Sequence, residues 1–90
     1  MIPYPQLHDI RQYTLAGVAV DVLDDSPLGA TCACYIKVVQ IGKFGGRLDL
    51  YCADNVMRTY TVVAGEEKRV DFTEIGKNTT CPIVQVGWSV

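Results

Sequence analysis

The sequence predicts an all-β domain: a small sandwich or open barrel of six to seven short antiparallel strands, preceded by an extended N-terminal arm. Apolar and polar residues alternate with a period of two from Ala30 to Val63. That period suits half-buried strands, because successive side chains of a strand point to opposite faces. Turn-forming Gly, Asp or Asn residues recur at roughly 10–15-residue intervals, a spacing typical of sandwiches and small barrels. No segment has a convincing helical period.

Residues 1–12 are predicted to form the arm, and residues 13–90 the β domain. Pro3 and Pro5 argue against a helix or an interior strand, and each favours extended geometry in the residue before it. Two interpretations stay open: the arm is an edge strand packed on its own domain, or it lies across a neighbouring subunit. In either case it is too apolar for a free tail, since it and the start of the domain carry Ile2, Tyr4, Leu7, Ile10 and Tyr13.

The predicted strands cover, in chain order, residues 17–23, 31–41, 47–53, 57–63, 68–73 and 79–88. The first ends at an Asp/Ser/Pro cluster, which commonly terminates strands. Asp54 and Asn55 predict a tight hairpin, because both residue types tolerate turn geometry. Pro82 has no N–H to donate to a neighbouring strand, so the last strand is expected to start at an edge or with a bulge.

Strand phase places three of the four cysteines in the core. The predicted inward faces carry Val18, Val20 and Val22; Cys32, Cys34, Ile36 and Val38; Leu48, Leu50 and Cys52; Val70 and Phe72; and Pro82, Val84, Val86 and Trp88. The thiols are expected to be reduced and to behave as small hydrophobes, because the N-terminus carries no secretion signal. Cys81 has the opposite phase and is predicted to be the exposed thiol.

Charge and hydropathy argue against nucleic-acid and membrane partners. Eight basic and ten acidic residues give a net charge of -2, and Lys68-Arg69 is the only adjacent basic pair. A nucleic-acid surface needs concentrated positive charge. The longest clean apolar run, residues 15–20, is far shorter than a membrane-spanning segment. The chain is expected to be made and kept in a cytoplasm, or exported only as part of something larger.

The cysteines are the strongest candidates for chemistry. In a regular strand the sulfurs of a Cys-x-Cys pair lie nearly 7 Å apart (~2 × 3.3 Å of rise), too far for easy shared metal ligation. We therefore expect no cofactor, no metal and, without an acid–base constellation, no enzyme activity. The alternative is a small metal- or ligand-binding β domain that uses Cys32, Cys34 and Cys52, with Cys81 as an optional fourth ligand.

Three tyrosines have the phase opposite to the deepest core residues. Tyr35, Tyr51 and Tyr60 either form an aromatic outer face of the kind found at interfaces, or they cover a second sheet. Both arrangements suit a homo-oligomer whose subunits complete their burial against one another.

Residues 18–86 contain short motifs in a characteristic order. They are Val20-Asp-Val-Leu-Asp-Asp-Ser-Pro27, Cys34-Tyr-Ile-Lys-Val-Val39, Arg58-Thr-Tyr-Thr-Val-Val-Ala-Gly-Glu66, Val70-Asp-Phe-Thr-Glu-Ile-Gly76 and Asn78-Thr-Thr-Cys-Pro-Ile-Val84. In this order the chain resembles the small β proteins of tailed-phage virions, of the spike-base and head-decoration (cement) kind. It departs from their pattern at Cys81, where they favour a small residue such as alanine, and in the N-terminal arm.

The resemblance implies a non-enzymatic structural subunit, either a capsid decoration (cement) protein or part of a spike base. Such a subunit would form a homo-oligomer, with a trimer expected, and would contact other virion proteins. It would be assembled in the host cytoplasm and would end in the virion, and no catalytic residues are implied. From the residues themselves, contacts are expected through the arm and an apolar-aromatic face, at Ile2, Tyr4, Leu7, Tyr13 and Trp88.

Overall fold

The computed structural model describes residues 9–26, 31–43 and 45–88. Within these residues the all-β prediction is confirmed: eight strands form one antiparallel sheet that does not close into a barrel. The strands are β1 (Asp9–Thr14), β2 (Val20–Asp21), β3 (Ala33–Gln40), β4 (Gly46–Cys52), β5 (Met57–Val62), β6 (Glu67–Lys68), β7 (Phe72–Ile75) and β8 (Ile83–Trp88). A short 3-10 helix, Val22–Asp25, follows β2.

The sheet runs in the order β1-β8-β3-β7-β4-β5, with β2 beside β7 and β6 beside β3. One residue pair, Ala33 with Phe72, joins β3 to β7. The sheet therefore consists of two halves, β1-β8-β3-β6 and β2-β7-β4-β5, that meet at this pair. Both halves contribute side chains to a single hydrophobic cluster: Val22, Ala33, Ile36, Val38, Leu48, Leu50, Cys52, Val62, Phe72, Ile75, Cys81, Val84, Val86 and Trp88.

The predicted inward face of β3 is wrong at its beginning. Ala33 and Ile36 are both fully buried, although three positions separate them, and Cys34 is only half-buried. The pairing of β3 with β8 shifts register between Ala33 and Tyr35, as it does at a β-bulge. One extra residue reverses the alternation of faces. Cys32 and Cys34 were predicted to share the inward face of Ile36. The bulge instead leaves both of them only partly buried.

Two other predicted strands are shorter or divided. Of residues 17–23, only Val20 and Asp21 form a strand, and Val18 is 62% exposed. The Asp21 carboxylate accepts a hydrogen bond from the N–H of Leu23 at 2.9 Å and so caps the 3-10 helix that replaces the rest of the strand. The predicted strand at 68–73 divides into β6, which pairs with β3, and β7, which pairs with β4.

The predictions for the β4–β5 hairpin are confirmed. Leu48, Leu50 and Cys52 are all buried on one face of β4. The turn lies where Asp54 and Asn55 predict it, and Asn55 adopts φ 66°. Asparagine tolerates this left-handed conformation better than most residues.

The described part of the predicted arm belongs to the sheet. β1 begins at Asp9 and pairs with β8 through all six of its residues, so the expected boundary between residues 12 and 13 falls inside a strand. For residues 9–12, the interpretation as an edge strand of the chain's own domain agrees with this pairing. Residues 1–8 lie outside the described residues, and with them the predicted contacts Ile2, Tyr4 and Leu7.

Candidate functional site: the outer strands of the described sheet

The thiols lie in or near the core and are poorly suited to reaction. Cys81, predicted to be exposed, is fully buried; its Sγ lies 3.6 Å from the carbonyl oxygen of Arg47. The alternation of faces in the predicted strand 79–88 gave the wrong side for Cys81, because β8 begins only at Ile83. Burial raises the pKa of the Cys81 and Cys52 thiols, and burial followed by the charge of Asp71 raises that of Cys32. These thiols are therefore protonated at neutral pH, which disfavours metal ligation and nucleophilic attack.

The described residues show no geometry that supports the alternative prediction, a small metal- or ligand-binding β domain. Among the described residues, no group of three or more His, Cys, Asp or Glu side chains is arranged to hold a metal ion. A structural zinc site needs four such ligands around one point.

The described chain also has no helix long and apolar enough to span a bilayer.

A shallow cleft of about 300 Å³ lies at the β4–β5 turn. Its lining includes Cys52, Asp54, Arg58 and Asp71. The Arg58 guanidinium donates to the Asp54 carboxylate at 2.9 Å across the turn. Two of its three charged lining residues therefore already form an ion pair.

A hydrogen-bonded polar cluster surrounds Asp49 on β4. The Asp49 residue is 3% exposed, and Arg47 donates to both carboxylate oxygens, at 3.0 and 3.1 Å. Burial alone would raise the pKa of Asp49, but hydrogen bonds from Arg47 and Thr59 and the charge of Arg47 bring it below its ordinary value. The Arg47 side chain remains about half exposed, so only the carboxylate is shielded from water.

Two threonine side chains take the place of a neighbouring strand along this part of β4. The N–H groups of Arg47 and Asp49 donate to the hydroxyls of Thr80 and Thr79, at 2.8 and 3.0 Å. The N–H of Gly76 donates to the carbonyl of Asp49 at 2.8 Å. A Cβ at Gly76 would lie 2.9 Å from that of Asp49, so glycine permits this close approach. The 76–80 segment therefore covers Asp49 and closes one side of β4.

Thr79→Val is expected to lower the free energy of unfolding by about 1–3 kcal/mol, since the shielded N–H of Asp49 loses its acceptor. Thr80→Val is expected to cost less, because Arg47 is exposed and water can replace the hydroxyl. Urea denaturation of both variants and of Thr79→Ser, which keeps the hydroxyl, checks this. Equal losses for the two valine variants would contradict it.

The three tyrosines do not form a common outer face, because Tyr60 lies opposite Leu48 on the core side of β5. Tyr35 is 7% exposed, and its hydroxyl donates to Glu67 at 3.2 Å. Tyr60 is half-buried and packs against the core cluster. Lys68 stacks over the ring of Tyr60 at 5.0 Å, as Arg69 does over Tyr35 at 5.1 Å.

β1 and β5 are the outermost strands of the sheet, and no described strand pairs with their outer edges. Directly after β1, the N–H of Leu15 donates to the carbonyl oxygen of Pro82 at 2.8 Å, so the odd-numbered residues of β1 direct their backbone groups toward β8 and the even-numbered ones outward. In β4, Arg47 and Asp49 direct their backbone N–H groups toward the 76–80 segment, away from β5. The outward-directed residues are therefore Ile10, Gln12 and Thr14 in β1, and Met57, Thr59 and Thr61 in β5.

The six residues with outward-directed backbone groups are uncharged and partly apolar, whereas Arg11 and Arg58 lie between them on the two strands. Ile10 is 51% exposed at the first edge, and Met57 is 46% exposed at the second. Natural proteins usually protect exposed strand edges with charged residues, prolines or bulges. None of the six outward-directed residues is charged or proline, and the register of β1 with β8 is unbroken. Among the described residues, the outer edge of each strand is therefore left without a paired strand.

Nothing matches this chain among protein families, curated proteins or solved structures. The resemblance to phage virion proteins consequently stays a prediction. Of the five predicted contact residues, two lie among those described. Tyr13 is half-buried on β1 and packs against the core cluster, at the first edge.

Trp88 lies in the core. Its ring is fully buried, and its indole N–H has no hydrogen-bond acceptor within the described part of the chain. Because none of the side chain is accessible in the monomer, we do not include Trp88 in the proposed contact surface. Sequence reasoning proposed contacts through the arm and Tyr13, which include part of β1, but it did not identify the β5 edge, since strand order is a long-range property.

Proposed function

We propose that this chain is a non-enzymatic structural subunit that assembles with copies of itself and with other proteins of a virus particle. The observation that carries the proposal is the pair of sheet edges at β1 and β5, both with uncharged, outward-directed residues. A free edge presents a row of unpaired N–H and C=O groups, which is a template for pairing with another chain.

Exposed apolar side chains elsewhere on the described surface support the same function. Outside β1 and β5, four valines are exposed: Val18 by 62%, Val39 by 39%, Val56 by 47% and Val63 by 63%. Single exposed apolar residues are ordinary on a monomer, but here they accompany two open edges. Subunits that gain many small contacts on a lattice can assemble stably without one strong interface.

The virion part of the proposal rests on the order of short motifs in residues 18–86. It places the protein in the particle as a decoration, cement or spike-base subunit after assembly in the host cytoplasm. It predicts that purified particles contain the chain at a fixed stoichiometry. Its presence only outside particles would contradict this part of the proposal.

Assembly itself is tested by measuring the mass of the purified chain over a range of concentrations with light scattering. A discrete oligomer is expected, and a monomer at every concentration would contradict the proposal. The same measurement on residues 9–90 tests the arm. This truncation keeps β1, whereas deletion up to residue 12 would also uncover β8. The truncated chain is expected to stay folded and to assemble more weakly; unchanged assembly would exclude a contribution from the arm.

A further inference from the structure

We infer that the cleft at the β4–β5 turn receives the side chain of Lys77 from a second copy of this chain, with its ammonium group beside the Asp71 carboxylate. The inference rests on the proposed function and names one contact by which copies assemble. The two groups lie on different segments of the chain, so the contact is compatible with a ring, such as the expected trimer, as well as with a dimer.

Asp71 gives the cleft a negative charge that the chain itself does not compensate. Of the three charged residues in the lining, Asp54 and Arg58 form an ion pair at 2.9 Å. Within the described ranges, no ion pair or hydrogen bond reaches the Asp71 carboxylate. Burial raises the pKa of the Cys52 thiol in the lining, and the charge of Asp71 acts in the same direction. With two carboxylates and one guanidinium, the lining carries a net charge of -1.

Hydrogen bonds hold the walls of the cleft in place before a partner arrives. The N–H of Ala53 donates to the carbonyl oxygen of Asp71 at 3.0 Å and joins the two walls. The N–H of Val56 donates to the Asp54 carboxylate at 3.2 Å, so the turn itself orients this group. A site that is already ordered loses less entropy when it binds.

The size and the apolar part of the lining suit one lysine side chain. A volume of about 300 Å³ is at the lower end of the range for ligand sites. Ala53 and Val70 contribute apolar surface. Lysine packs its methylene stem on such surface and keeps its ammonium group in a polar environment. The carboxylates of the lining supply that environment.

The chain offers two lysines that can supply the cation. Six of its eight basic residues already take part in ion pairs, ring contacts or other interactions: Arg11, Lys43, Arg47, Arg58, Lys68 and Arg69. For Lys37 and Lys77, no such interaction occurs among the described residues. Lys37 is half-buried within β3, with β6 and β8 on either side.

Lys77 is the better placed of the two because it is exposed at the corner of a turn. The N–H of Thr79 closes this turn by donating to the carbonyl oxygen of Gly76 at 3.2 Å. A projecting turn can enter a cleft, whereas a lysine in the middle of a sheet can do so only if the whole face of the sheet approaches. The charge and the exposure of Lys77 therefore complement those of the cleft.

A charge exchange between the two positions tests this contact. D71K and K77D each bring like charges together, and each is expected to weaken assembly roughly fivefold, because an attraction becomes a repulsion. D71K/K77D restores one pair of opposite charges without changing the net charge, and it is expected to assemble within about twofold of the wild type. Dissociation constants come from sedimentation equilibrium at low salt, since salt screens exposed charges.

The matched control is D24K, which makes the same charge change at an exposed aspartate outside the lining of the cleft. It is expected to leave assembly unchanged, and D24K/K77D is expected to assemble as weakly as K77D. Circular dichroism checks that each variant is folded. D71N and K77Q, which remove the two charges without reversing them, replace any reversal variant that is not.

A wild-type chain that is monomeric at every concentration would overturn both this inference and the proposed function. An oligomer that D71K and K77D leave unchanged, or one that D24K weakens as much as D71K does, would overturn the contact between Lys77 and Asp71. Failure of D71K/K77D to recover would also exclude this pairing. These last outcomes leave the proposed function standing, because the chain still assembles.

Discussion

Phe72→Ala is expected to lower the free energy of unfolding by about 4 kcal/mol, the largest single effect we predict for this chain. Phe72 is fully buried, and its backbone pairs with Ala33 of β3 and Cys52 of β4. It therefore stands where the two halves of the sheet meet. Truncation removes a large apolar side chain from this junction and leaves a cavity.

The size of this effect matters because a domain of this length has a total stability of only about 5–10 kcal/mol. The alanine variant should be close to unfolding at room temperature. Phe72→Leu is the matched control and should cost less than about 1.5 kcal/mol, since it keeps most of the volume. Urea denaturation followed by circular dichroism measures both. A loss below about 1 kcal/mol for Phe72→Ala would show that the halves do not depend on this junction.

Sequence alone predicted the features that local residues determine. The inward face of β4 follows from strict alternation, and the β4–β5 hairpin follows from the turn preferences of Asp54 and Asn55. Both depend on neighbours in the chain. The all-β fold class follows from many such local signals acting together.

The features that failed depend on single insertions or on distant segments. The bulge between Ala33 and Tyr35 reverses the faces of the first part of β3, and no residue there marks it in the sequence. Asp49 has the predicted outward phase, yet it is buried because the 76–80 segment crosses over it. The outermost places of β1 and β5 among the described strands follow from strand order, which brings β1 beside β8 and leaves β5 last. Alternation of residues carries no information about that order.

Arg47→Met is expected to destabilise the protein more at neutral pH than at acidic pH. The reason lies in the unequal exposure of the two partners, because the Asp49 carboxylate is shielded while the Arg47 side chain is about half exposed. Removing Arg47 leaves a shielded negative charge with Thr59 as its remaining side-chain donor. Removing the carboxylate instead, as in Asp49→Asn, leaves an arginine that water can solvate. At pH 7, Arg47→Met should therefore be the more harmful of the two single changes.

The pH dependence follows from the pKa of Asp49. In the wild type the pKa of Asp49 is lowered on folding. The ionised carboxylate therefore stabilises the fold above the pKa of an aspartate in the unfolded chain, about 3.9, and this stabilisation is lost as the pH falls through the folded pKa. In Arg47→Met, burial acts without the arginine, so the pKa of Asp49 is expected to be higher than in the wild type and its ionised form to stabilise the fold less at neutral pH. This difference disappears when Asp49 is protonated in both proteins. The stability difference between the two proteins should thus shrink as the pH falls.

Urea midpoints of both proteins from pH 7 down to about pH 3 measure this difference, and subtraction cancels the carboxylates that the two proteins share. The double variant Arg47→Met/Asp49→Asn is the control. It removes the titrating group, so its difference from Asp49→Asn should be the same at every pH. A difference between wild type and Arg47→Met that stays constant across this range would mean that Arg47 stabilises β4 by packing, and that its charge has no part in holding Asp49 ionised.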